Sequence, residues 1–290
     1  MSLIYLTAAV FALSSFFIAS AQDFRSREVD DILWIVSGTA GIAISVYLLT
    51  SAVSGVLLPA LTATFPAFLF ADMFIDWNSL SVKFGPTARY ATGGLCALLT
   101  LVAVYRYSGI VMVDAVAASS LWILFIFLLF HLDVIKGGAD AKALVCLTLL
   151  FPLYPQPVLG HILPEYISFT FPFFINTLLL GALFSLSVPV FLFIMNASRG
   201  DAALPMMFLG YRKKPEDVMI EKEWLMEYPA EDGTPARLRK LGSSDDENML
   251  KMAKSSGWKT VWVSPKIPFI VPLSIGLVFT LLFGNILLYV

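Results

Sequence analysis

The sequence predicts an all-α polytopic membrane protein of about eight transmembrane helices (six to eight), with a small cytosolic domain of mixed or unknown fold inserted before the last helix. Three observations carry that expectation. Hydrophobic residues make up 58% of the 290 positions and charged residues only 14%, where a soluble domain has roughly 25% charged. The charges are concentrated: residues 199–266 hold 12 of the 19 Lys and Arg and 11 of the 21 Asp and Glu, leaving 17 for the other 222 positions. Apolar runs of bilayer length recur along the rest. So little charge cannot solvate a globular surface, which excludes a water-soluble enzyme. A net charge of −2 gives no basic footprint for nucleic acid.

A helix needs about 20 apolar residues to cross the hydrocarbon core. Runs near 2–22, 31–50, 54–75, 89–107, 110–132, 141–157, 168–196 and 268–290 meet or approach that length. Pro59 and Pro66 interrupt the third, which a membrane helix tolerates. Pro152, Pro155 and Pro157 break the sixth early. With the N-terminus outside, the inside loops hold Arg25 and Arg27, then Lys83 and Arg89, then Lys136 and Lys142, then all of 199–266. Only Arg106 falls outside, so 18 of 19 basic residues share one face, as the positive-inside rule requires. Ala19-Ser20-Ala21 also reads as a signal-peptidase site. Against cleavage, no Lys or Arg precedes the apolar run, while Arg25 and Arg27 follow it. The resulting division is a membrane domain at 1–198, a polar domain at 199–266 and a final span at 267–290.

The usual carriers of metal, nucleophile and nucleotide chemistry are missing. Cys96 and Cys146 lie singly in apolar runs, and His131 and His161 lack the HExxH spacing. There is no GxSxG elbow or GxxxxGK[ST] loop. Carboxylates remain, and ionisable residues at membrane depth are functional candidates by default. The set outside the polar stretch is Asp23, Glu28, Asp30, Asp31, Asp72, Asp76, Asp114, Asp133, Asp140 and Glu165. Most read as solvated helix ends. Asp23 follows the first run, in Ala21-Gln22-Asp23-Phe24-Arg25-Ser26-Arg27-Glu28. Asp140 opens another, in Lys136-Gly137-Gly138-Ala139-Asp140-Ala141-Lys142. Both fall on the inside face. Two carboxyl groups held close cannot both ionise cheaply, so such a pair shares a proton and can serve as base and acid together. Gly-Gly-x-Asp also fits a turn followed by a helix N-cap.

Gln22-Asp23-Phe24-Arg25-Ser26-Arg27-Glu28-Val29 resembles the first catalytic motif of archaeal preflagellin peptidases, aspartic proteases of the type IV prepilin peptidase-like GxGD family. Gly137-Gly138-Ala139-Asp140 is similar to their second motif in its looser form. Residues 261–272, Val-Trp-Val-Ser-Pro-Lys-Ile-Pro-Phe-Ile-Val-Pro, are similar to the segment where that family's cytosolic domain re-enters the membrane. Phe171-Pro172 with Asn176 adds to the likeness, which covers roughly 1–50 and 110–290.

The resemblance implies a membrane aspartic endopeptidase whose catalytic pair is Asp23 and Asp140. Gly137, Gly138, Ala139, Arg27 and Lys142 would support the site or bind substrate. It implies pilin-like or flagellin precursors as substrate partners, each with a short basic leader ahead of an apolar helix, and no cofactor or metal. Bacterial relatives often add a cysteine-rich zinc loop and methylate the new N-terminus; the cysteines for that loop are missing here. Two departures stand out. Asp140 lies 117 residues after Asp23, so 51–109 reads as a two-helix insertion, which keeps both aspartates on one face. Ala139 also stands where many members carry glycine. An ion-coupled transporter lined by Asp23, Asp114 and Asp140 and a non-catalytic membrane scaffold remain as alternatives.

Overall fold

A computed structural model describes residues 3–53, 57–80, 85–135, 137–159, 167–201, 203–230, 235–237 and 246–285. Of the residues singled out above, Lys83, Lys136, His161 and Glu165 lie outside these. The chain divides into two units, residues 1–184 with 268–290, and residues 185–267.

The first unit is helical. It contains α1 (Leu3–Ser26), α2 (Asp31–Ala52), α3 (Leu57–Ala60), α4 (Thr64–Asp72), α5 (Trp77–Leu80), α6 (Gly85–Tyr107), α7 (Val111–His131), α8 (Gly138–Leu150), α9 (Ile167–Thr170), α10 (Phe173–Ser185) and, after the second unit, α14 (Ile270–Phe283). Five stretches are long and apolar enough to cross a membrane: α1, α2, α6, α7 and the run Phe173–Arg199. Leu58–Asp72 and Ile270–Phe283 are shorter apolar helices, and α8 is shorter still. A helical segment thus stands in each of the eight apolar runs.

Departures from the expected bounds have local causes. The third run is broken by a 3-10 turn at Leu61–Ala63, and Pro66 falls in the first turn of α4, where its missing N–H is tolerated. Helix α8 stops at Leu150, two residues before Pro152, because the residue preceding proline is driven out of the helical region. Helix α1 overruns its apolar stretch to Ser26, so Asp23 lies on the helix and not after it. Arg27, at φ 62°, ends it in the left-handed conformation.

Helix α8 is the axis of this unit. Ala141 and every residue from 143 to 150 are buried, the all-round apolar pattern of a central helix, and α8 packs against α1, α2 and α7. Two glycines of α2 permit close approach. A Cβ at Gly41 would lie 2.8 Å from the Leu149 carbonyl carbon, and one at Gly38 would sit 2.2 Å from the Phe70 ring of α4. Ser45 Oγ donates to the Leu149 carbonyl at 3.2 Å and Cys146 Sγ to that of Trp34 at 3.3 Å, so polar bonds reinforce the seam between α2 and α8. Trp34 is fully buried, edge-on to Phe16 at 5.6 Å. Helices α10 and α14 cross with equally little space: a Cβ at Gly276 would meet the Thr177 carbonyl oxygen at 2.4 Å. Asn176 Nδ2 donates to Thr280 Oγ1 and the Gly284 carbonyl, so an amide inside the apolar unit is satisfied by α14.

Helices α4 and α6, within the segment read as an insertion, are tied by Asp72, which takes two bonds from Arg89 at 2.8 and 2.6 Å and one from Trp77 Nε1 at 2.8 Å. A cavity of about 400 Å³ lies among Phe65, Thr100, Leu101, Asp114, Ser120 and Phe169.

The second unit contains α11 (Ser187–Arg199), α12 (Met206–Leu209), β1 (Tyr211–Lys213), β2 (Glu223–Leu225), β3 (Glu227–Pro229), β4 (Pro235–Arg237), α13 (Asp246–Ser255) and β5 (Val261–Pro265). Strand β5 is central to an antiparallel sheet of order β1-β5-β2, and β3 pairs with β4 as a separate hairpin. Leu225, Leu250, Ala253, Val261 and Val263 form its core. Helix α11 joins this unit through Asn196, whose Nδ2 donates to the Met207 and Gly210 carbonyls at 2.9 and 2.7 Å. Glu223 is buried, accepting bonds from Tyr211, Lys213 and the Met219 N–H.

Candidate active site

Both aspartates of the sequence motifs stand at helix ends. Asp23 is in the last turn of α1 and Asp140 in the first turn of α8, and those helices pack together. The two side chains are half-buried. A carboxylate in the first turn of a helix also meets the positive end of its dipole.

Helix α14 completes the surroundings of Asp23. Its first residue, Ile270, donates its backbone N–H to Asp23 Oδ2 at 3.4 Å, one of the N–H groups that a helix N-terminus leaves without an internal partner. The approach is fixed by Ser20 Oγ and Ser274 Oγ, 2.7 Å apart, and by Ser274 Oγ donating to the Phe16 carbonyl at 3.3 Å. Sequence reasoning did not single out these serines. Their signal was polar hydroxyls inside apolar helices, which in membranes commonly bond across helix pairs.

The glycines before Asp140 differ. A Cβ at Gly137 would fall 2.3 Å from Asp140 Oδ2, whereas one at Gly138 meets nothing within 4 Å. Gly137 thus clears the space into which the Asp140 carboxyl folds back over its own N-cap. Ala139 packs against the apolar core.

The turn joining α1 to α2 is braced by a reciprocal pair: Gln22 Nε2 donates to Asp30 Oδ2 at 2.8 Å, and the Asp30 N–H to Gln22 Oε1 at 3.1 Å. Arg27 lies in this turn, and its charge acts on Asp23. Lys142 is directed elsewhere. Its Nζ is 2.5 Å from Asp31 Oδ1 and 5.0 Å from the Phe74 ring centroid, so it fastens α8 to the start of α2 and to the turn that follows α4. The structure therefore sets Gly137 beside Asp140 and Arg27 in the turn after Asp23, on two helices that pack together, and commits Lys142 to an ion pair. The described residues contain no group of three or more His, Cys, Asp or Glu placed to hold a metal.

The archaeal peptidase A24 C-terminus type II family model matches residues 202–286, a range that takes in α14. Along almost the whole chain, a preflagellin peptidase of Methanococcus voltae is 23% identical over 286 residues, covering 96% of this chain and 95% of that protein. The chain is a relative of the preflagellin peptidases. A second, from Methanococcus maripaludis, is 26% identical over 278 residues, covering 92% and 91%. The preflagellin peptidase of Methanocaldococcus jannaschii is 32% identical over 168 residues, 55% of this chain and 66% of that protein. The family resemblance read from the motifs and the apolar helices thus agree on a multi-pass membrane protein related to peptidases.

Proposed function

We propose that the chain is a membrane aspartic endopeptidase that removes the short basic leader from preflagellin or prepilin-like precursors, with Asp23 and Asp140 as its dyad. The observation that supports this reading is the packing of α1 against α8, which carry Asp23 in a last turn and Asp140 in a first turn although the two lie 117 residues apart in sequence. The names of the relatives supply the substrate class.

The chemistry needs only the two side chains and water. One aspartate, ionised, takes a proton from water as its oxygen bonds to the scissile carbonyl carbon. The C=O π pair moves onto the carbonyl oxygen, which accepts the proton of the other aspartate. Collapse of this tetrahedral intermediate breaks the C–N bond, and the departing amine takes up a proton from the dyad. Sharing one proton between close carboxyls supplies both roles at neutral pH.

The distribution of basic residues supports an outside N-terminus and a cytosolic site. The leader enters from the cytosol while the precursor's apolar helix stays in the bilayer, so their boundary reaches the dyad. Asp30 is engaged by Gln22 and Asp31 by Lys142, which leaves exposed Glu28 to attract a basic leader, a weak effect at a solvated position. In this reading 51–109 is a two-helix insertion that leaves both aspartates on one face.

The test is cleavage of a preflagellin by Asp23→Asn and Asp140→Asn proteins in liposomes. Each is expected to lose activity by a factor on the order of 10³ or more. Normal cleavage by either variant refutes the dyad.

A further inference from the structure

Arg27 carries two costs that its neighbours do not relieve. Its φ of 62° places a non-glycine residue in the left-handed region, which costs roughly 1–2 kcal/mol. Its N–H closes the end of α1 on the Asp23 carbonyl at 3.2 Å, a capping task glycine performs without strain. Its guanidinium adds the second cost. Nη1 is buried and has no hydrogen-bond partner among the described residues, although leaving a buried donor unmet is unfavourable, more so when the group is charged. The group acts on the Asp23 charge yet makes no ion pair with it within 4.0 Å among the described residues. A strained backbone and an unmet donor coincide beside a candidate catalytic carboxylate, and such coincidences mark functional sites.

We propose that Arg27 is a catalytic residue whose Nη1 donates to the scissile carbonyl oxygen of the substrate. The inference rests on the aspartic peptidase reading above. As water adds, negative charge develops on that oxygen, and a donor already in place stabilises it without reorganising. Nη1 is buried, so the carbonyl that meets it must enter the site with the substrate segment rather than approach from bulk solvent. The lack of an ion pair with Asp23 has a use in this arrangement: the donor stays uncommitted until the carbonyl arrives.

The decisive comparison is Arg27→Gly with Arg27→Ala, measured for kcat and KM on a preflagellin in liposomes, with Arg25→Ala as an exposed control. Glycine suits the positive φ, so it repairs any purely structural function of the residue. The expected result is a loss of about 10²–10³-fold in kcat for both variants, with KM changed less than about threefold and the glycine protein melting no lower than wild type. Added guanidinium ion should restore part of the lost rate in both. Wild-type kcat in Arg27→Gly, a loss confined to KM, or no response to guanidinium overturns the proposal. Normal cleavage by Asp23→Asn in the same assay instead overturns the dyad, so the two failures are distinguishable.

Discussion

Replacing Gly137 with alanine isolates the positioning of Asp140 from the stability of the fold. The backbone there, φ −88° and ψ 124°, suits alanine, so no conformational strain is introduced. The added Cβ would lie 2.3 Å from Asp140 Oδ2 and 2.9 Å from Cγ, where real Cβ contacts essentially never fall below 3.0 Å. The obstacle is the mobile end of a side chain, so the carboxyl yields while the helix stays in place. It must retreat by roughly 1 Å, and a displacement of that size in a reacting group costs on the order of 10² in rate. Gly138→Ala is the comparison. Its Cβ meets open space, and alanine is favoured over glycine inside a helix by up to about 1 kcal/mol. Initial rates of precursor cleavage in liposomes, beside thermal unfolding in detergent, separate the two effects. Gly137→Ala should melt near wild type and cleave about 100-fold more slowly, at least tenfold below Gly138→Ala. Equal rates for the two variants would refute the argument that Asp140 folds back over Gly137.

Two further outcomes follow from packing and charge. Gly41→Ala has no flexible neighbour to displace, because its Cβ would press on the Leu149 and Leu150 backbone at 2.8–2.9 Å; a loss of about 1–3 kcal/mol is expected, and an unchanged unfolding midpoint would count against the close seam between α2 and α8. In the polar unit, burial opposes the charge of Glu223, but bonds from Lys213, Tyr211 and the Met219 N–H outweigh it and hold its carboxyl below the ordinary range. The stability this provides is fully present above the unfolded glutamate value and is lost as pH falls through the lower folded one. Glu223→Gln should destabilise the unit by about 2 kcal/mol at neutral pH and flatten that acid-side decline, as followed by Trp fluorescence; an unaltered acid limb would dismiss the role.

The helical pattern was readable because a bilayer imposes one requirement, about 20 apolar residues per crossing, and this chain repeats it. The two carboxylates stood out as candidates because so few exist at the edges of those runs. Closure of the site was not. Nothing local to Asp23 announces that its partner N–H belongs to Ile270, since a backbone donor has no sequence signature. The direction of Lys142 was equally unreadable: it lies two positions from Asp140, but on a helix that spacing turns it to the opposite side, toward Asp31 and Phe74. Arg27 could be noticed as a basic residue beside the motif, whereas its positive φ and unmet Nη1 require coordinates.

The bond from Ile270 to Asp23 spans 247 positions, and α14 follows the whole of the second unit. Asp23 therefore leaves the ribosome long before the group that receives its carboxylate. At about 5–20 residues per second, the interval is on the order of tens of seconds. For roughly the second half of it, after Asp140 has been made, the nascent chain holds both aspartates but lacks the backbone donor that bonds Asp23. The surroundings of Asp23 are therefore completed only after the second unit has been made, and a chain cut short before α14 keeps both motifs without the helix that bonds Asp23.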